Sequence, residues 1–111
     1  MDKLNNYRKI LQKIVTHHAQ YSSSQEQIES LSICDATNDN YILLDVGWDR
    51  TGRVHDIALH LRLQNGKIWI EWDGIEEGVT QELLELGVPK EDIVLGFYRP
   101  KKRQLTEFAV N

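Results

Sequence analysis

Cysteine is nearly absent from this sequence. Cys34 is the only one, which excludes an intrachain disulfide and any multi-cysteine metal site. A reducing, cytoplasmic compartment fits that scarcity. Proline is also scarce, with two in 111 residues, so neither a collagen-like nor a proline-rich disordered chain is in view. No apolar run reaches the ~20 residues of a membrane span, and the N-terminal stretch has no secretory core. Excess positive charge is missing too. The formal net charge of −4 argues against a broad basic surface for bare DNA, although a local basic patch remains open. What is present is ordinary for one soluble globular domain spanning residues 1–111: 41% hydrophobic and 27% charged residues.

The stretch 53–86 organises the chain. It reads as strand, tight turn, strand and helix. Asn65-Gly66 between alternating apolar residues is a strong hairpin signal, because both residues tolerate positive φ. A two-residue loop sets Leu63 against Ile68, Leu61 against Ile70 and Leu59 against Trp72. These pairs share one face, and the other face receives Arg62 opposite Trp69 and His60 opposite Glu71.

Before this hairpin, Asp2 can cap a helix that runs from Lys3 to about Ala19. Leu4, Tyr7, Leu11, Ile14, Val15 and His18 recur at helical spacing, with Ile10 at the edge of the stripe. The opposite side is polar and basic, through Arg8, Lys9 and Lys13. It reads as a solvated face before it reads as a nucleic-acid face. Residues 21–25 read as a loop and 27–35 as a strand with Leu31 and Ile33 inward. Residues 41–49 form the next strand, with Ile42, Leu44, Val46 and Trp48 inward. An even-numbered loop there places Trp48 against Arg53, Val46 against His55, Leu44 against Ile57 and Ile42 against Leu59.

After the fourth strand, Asp73 and Glu76 resemble a capping box for a second helix reaching Leu86, with Val79, Leu83 and Leu86 inside. Gly87 and Pro89 end it. Residues 93–98 read as a fifth strand, residues 99–103 as a short basic stretch, and Phe108 and Val110 as anchors for a docked end. The expected fold is α+β: an antiparallel β-meander of about five strands with the N-terminal helix and the second helix packed on one face.

The search for chemistry returns little. There is no Gly-rich phosphate loop. Adjacent His17 and His18 point to different sides of their helix, and His55 and His60 have opposite strand parity. Asp45 and Asp56 are possible cross-strand neighbours, but no Glu-x-Lys follows on an adjacent strand, as a metal-dependent nuclease would need. We therefore expect no catalytic, cofactor-binding or metal-ligating residues, and no enzyme. One constellation stands out. Tyr41, His60 and Glu71 are expected in a row on the helix-free face, with Leu43, Ala58, Arg62 and Trp69 beside them. It reads as a His base held by Glu71, as a cross-strand polar ladder, or as a face that another protein covers. The interaction reading is preferred for Tyr41, Leu43, His60, Arg62, Trp69 and Glu71. A second copy or a partner protein is the expected cover.

The segments Asp45-Val-Gly-Trp48, Asn65-Gly-Lys-Ile-Trp-Ile70, Asp73-Gly-Ile-Glu76, Thr106-Glu-Phe-Ala-Val110 and the run 85–97 resemble the XisI family, in the family's order and over nearly the whole chain. Met1-Asp-Lys-Leu4 with Tyr7-Arg8 matches as well. The chain departs from the pattern at Ile75, where a Thr is usual. The family takes its name from fdxN element excision controlling factors of filamentous cyanobacteria. The resemblance implies an accessory role in DNA rearrangement beside a separate recombinase and a companion, XisH, whose relatives resemble restriction-endonuclease folds. It carries over no catalytic residue. Two functions follow: a factor that controls an XisH-like nuclease-fold partner by protein contact, or a DNA-binding accessory factor using Arg99, Lys101, Lys102 and Arg103 with the basic side of the first helix. Net charge favours the first, with DNA contact indirect or weak.

Overall fold

A computed structural model describes residues 2–21 and 27–111. The loop expected over 21–25, including Ser22 to Ser24, falls from residue 22 onward outside the described residues. Helix α1 spans Lys3–Tyr21. Asp2 Oδ1 accepts the N–H groups of Leu4 (2.9 Å) and Asn5 (3.5 Å), which satisfies donors that the first turn cannot pair internally. Tyr7, Leu11, Ile14 and Val15 are buried, as their spacing requires, while Leu4 is exposed at the first turn.

The strands are β1 (Ile28–Asp35), β2 (Asn40–Asp49), β3 (Gly52–Gln64), β4 (Lys67–Asp73) and β5 (Ile93–Leu95). They form one sheet in sequential order. The first four are antiparallel, but β5 runs parallel to β4. This corrects the all-antiparallel expectation. A parallel neighbour needs a crossover rather than a hairpin, and residues 74–92 provide it through helix α2 (Val79–Glu85) and a 3-10 turn (Lys90–Asp92). The fifth strand is also three residues long, not six. A short helix, α3 (Pro100–Arg103), follows. The end then returns to the sheet: Ala109 donates its N–H to Ile93 O at 2.9 Å and bridges Val94 in parallel.

Helix α2 starts later than the capping-box reading places it. Asp73 does act as a cap, but across a loop: its carboxylate accepts from Ile75 N–H (3.1 Å) and Val79 N–H (2.9 Å). The helix ends as expected. Val88 N–H bonds Leu83 O and Gly87 N–H bonds Leu84 O, each at 3.1 Å, which is the Schellman pattern. Val79 and Leu83 join the same buried cluster as the α1 stripe, whereas Leu86 is exposed.

The Asn65-Gly66 turn has φ of 55° and 76°, both left-handed, and the expected pairs Leu63↔Ile68, Arg62↔Trp69 and Leu61↔Ile70 all form. Further from the turn two β-bulges break the alternation. On β3, Ala58 is an extra residue between Leu43↔Leu59 and Leu44↔Ile57. On β4, Glu71 is an extra residue between Leu61↔Ile70 and His60↔Trp72. Leu59 consequently pairs with Asp73, not Trp72, and Ile42 pairs with His60, not Leu59.

The bulges decide which side chains are inside. Leu59, Leu61, Ile68 and Ile70 are fully buried, as expected, but their partners on β2 are Tyr41 and Leu43, both 0% exposed. The expectation that Ile42, Leu44, Val46 and Trp48 line the core is overturned. They pair on the opposite side of the sheet, together with Leu31, Ile33, Ile57 and Trp72. The pairs Trp48↔Arg53, Val46↔His55 and Leu44↔Ile57 are correct in register. It is their face that is reversed, because the bulge at Ala58 shifts the parity of β3 by one residue.

Candidate interaction face

Tyr41 and Leu43 leave the expected row. Both sit on the helix side of the sheet, so the constellation of Tyr41, His60 and Glu71 is not assembled. Tyr41 is held from inside. Its hydroxyl donates to Asp39 Oδ1 (3.1 Å), and Arg8 of α1 donates to the same carboxylate through Nε (2.9 Å) and Nη2 (3.2 Å). Burial and the neighbouring carboxylate push the Tyr41 phenol up to about 12. The Arg8 hydrogen bond outweighs burial at Asp39 and holds its carboxyl below the usual range. A member of the basic helix face is therefore a structural tie between α1 and the β1–β2 turn.

The remaining candidates do face away from the helices. His60 Nε2 lies 3.0 Å from Asn40 Oδ1, and burial lowers the imidazole's pKa. Arg62 Nη1 donates to Glu71 Oε2 at 3.0 Å. His60 and Glu71 thus have separate polar partners, as in a cross-strand ladder. Trp69 donates to Gln64 O (3.3 Å), and the Arg103 guanidinium lies over its ring at 5.2 Å.

Arg103 is tied into the fold as well. Its side chain donates to Leu95 O (3.3 Å), Gly96 O (3.3 Å) and Val110 O (3.5 Å), clasping the turn after β5 to the returning end. Lys102 lies over the Tyr98 ring at 4.2 Å. Arg99 and Lys101 are exposed. Of the basic stretch, Arg103 is thus engaged with the fold, and Arg99, Lys101 and Lys102 are exposed.

The side chains that sequence reasoning placed inside are the ones that dominate the open face. Trp48 and Trp72 are each 56% exposed, Ile57 44%, Ile33 42% and Leu31 36%. Arg53 lies over the Trp48 ring at 5.4 Å. One signal was available: Ile57-Ala58-Leu59 is three apolar residues in a row, which a regular alternating strand does not explain. No comparable signal marks Glu71, because Ile70-Glu71-Trp72 alternates cleanly.

Other polar clusters are small. Asp45 and Asp56 are cross-strand partners, and Ser30 Oγ donates to Asp45 Oδ1 at 2.7 Å. His18 Nε2 lies 2.8 Å from Glu82 Oε1 and links α1 to α2. The buried Asp92 accepts from Tyr7 and pairs with Lys3 Nζ at 2.7 Å. Among the described residues no three His, Cys, Asp or Glu side chains come together as a metal site. No helix among them is long and apolar enough to cross a membrane.

These features define a small α+β domain whose sheet is covered by α1 and α2 on one side and, apart from Arg103 over Trp69, is open on the other. The family model described as XisI protein matches residues 1–110. The chain belongs to the XisI family. A crystal structure of the fdxN element excision controlling factor XisI from Anabaena variabilis ATCC 29413 is 43% identical, with a TM-score of 0.84, covering 99% of this chain and 100% of that one. A XisI-like protein of the same organism is 33% identical, with a TM-score of 0.90, over 97% of this chain and 99% of that one. No curated protein matches the chain.

Proposed function

We propose that this chain is a non-enzymatic controlling factor that acts by binding another protein, a XisH-like partner of nuclease fold, in the excision of a DNA element. The observation that carries the reading is the bare sheet face. Five large apolar side chains, each more than a third exposed, lie on one side of one sheet. Contiguous apolar exposure of this kind marks association surfaces, and Trp and Arg are typical anchors there. The reading leaves catalysis to the partner. His60 and Glu71, the nearest approach to an acid–base pair, are each engaged in a separate polar contact.

The test is co-expression of the full chain with an XisH-like protein encoded beside it, followed by capture of one through a tag on the other. Stoichiometric capture supports the reading, and its absence removes it. The DNA-binding alternative rests on Arg99, Lys101 and Lys102, since Arg103 is engaged with backbone carbonyls. A salt series with duplex DNA separates the two. Counterion release makes DNA affinity fall steeply with salt, whereas contact through an apolar face is far less sensitive.

A further inference from the structure

Both bulges act on the same face. In regular strands Ile57 would share the core side with Leu59, and Trp72 with Ile70. The extra residues Ala58 and Glu71 instead turn these two side chains outward. Each irregularity gives up ladder pairing and moves a large apolar group from the interior into the open. An isolated monomer gains nothing from that exchange.

The face has the size and charge of a self-complementary surface. Leu31, Ile33, Trp48, Ile57 and Trp72 expose on the order of 500 Å² of apolar area, near the top of what monomers show. With the half-buried side chains between them, the open part of the face over β1–β4 offers roughly the 800 Å² per partner of a standard stable interface; the β5 end is closed by Arg103 over Trp69 and by the returning end beside Val94. Its strand charges balance, with Glu29, Asp35 and Glu71 against Arg53, Arg62 and Lys67 by strand parity and register. The chain's net charge of −4 is therefore carried elsewhere. Two identical faces therefore meet with no net strand charge on either.

We infer that a second copy of this chain covers the face, the two sheets packing against each other about a two-fold axis as a β-sandwich. This rests on the reading of the bare face as an association surface, and it names the occupant when no other protein is present. The excision partner, when present, takes the second copy's place on the same face.

Light scattering coupled to gel filtration of the full chain tests this. The expected mass is twice the 12.9 kDa of one chain. Trp72→Glu and Ile57→Glu should each weaken the pair ~30-fold or more, as loss of a buried hot spot does, with an unchanged far-UV circular dichroism spectrum. Both side chains are already exposed, so the fold should tolerate the change; Trp48→Lys repeats the test should either fail to fold. Gln12→Glu, on the solvent side of α1, should leave the mass unchanged. A monomer at every concentration reached, or a dimer indifferent to all the face variants, overturns the inference. A monomeric chain that still captures its partner removes the pairing and leaves the proposed function standing. A face-dependent dimer that captures nothing does the reverse.

Discussion

Replacing Leu59 and Ile57 by alanine, one at a time, tests the bulge at Ala58. The two positions are two apart on β3, so a regular strand makes them equivalent. The structure does not: Leu59 is 0% exposed and Ile57 44%. Leu59→Ala removes most of a fully buried side chain and leaves a cavity among Leu43, Leu61 and Ile70. The transfer and cavity contributions together cost about 3 kcal/mol. For a domain of this size that lowers Tm by about 12 °C, at about 4 °C per kcal/mol. Ile57→Ala gives up only partial burial, without a closed cavity, and should cost about 1 kcal/mol or less. Urea titrations on dilute protein measure both, with dilution keeping self-association out of the comparison. Equal losses at the two sites would refute the bulge, and with it the reversed face of β2.

Gly66→Val should lower stability by about 1–2 kcal/mol, because Gly66 has φ of 76° and a β-branched residue resists that region; an unchanged melting temperature contradicts the turn. Gly47→Ala should be far more severe, since a Cβ there would lie 1.9 Å from Gln27 O; thermal unfolding of the variant checks it. Arg103→Ala should cost about 1–3 kcal/mol by leaving the carbonyls of Leu95 and Gly96 without its guanidinium, and should not alter the salt dependence of any DNA binding. The Asp39 carboxyl is depressed in the folded state, chiefly by Arg8. Its contribution is therefore complete above the unfolded carboxylate value of about 4 and is lost as pH falls through the folded value. Arg8→Met should remove part of that pH dependence, so urea midpoints of the two proteins should converge at acid pH.

Helix α1, the β3–β4 hairpin and the end of α2 were legible because their signals are local. The α1 stripe, the Asp2 cap, the Asn65-Gly66 turn and the Gly87 stop each depend on a few neighbouring residues, and all appear in place. The faces of β2 were not legible. Tyr41-Ile42-Leu43-Leu44 is apolar on both sides, so parity had to come from pairing with β3, and one inserted residue reversed it. The parallel docking of β5 depends on where residues 74–92 lead the chain, which periodicity does not encode. The candidate site inherited these errors. Tyr41 and Leu43 belong to the core, Trp69 lies under Arg103, and the exposed indoles are Trp48 and Trp72.

The most direct measurement is partner capture by the full chain, by Trp72→Glu and by Gln12→Glu, side by side at equal protein concentration. The account predicts that the Gln12→Glu protein captures the XisH-like partner as the unmodified chain does. It predicts a loss of about 2 kcal/mol or more in binding for Trp72→Glu, with the fold intact. Undiminished capture by a folded Trp72→Glu protein would contradict it, because the bare sheet face would then have no part in the association.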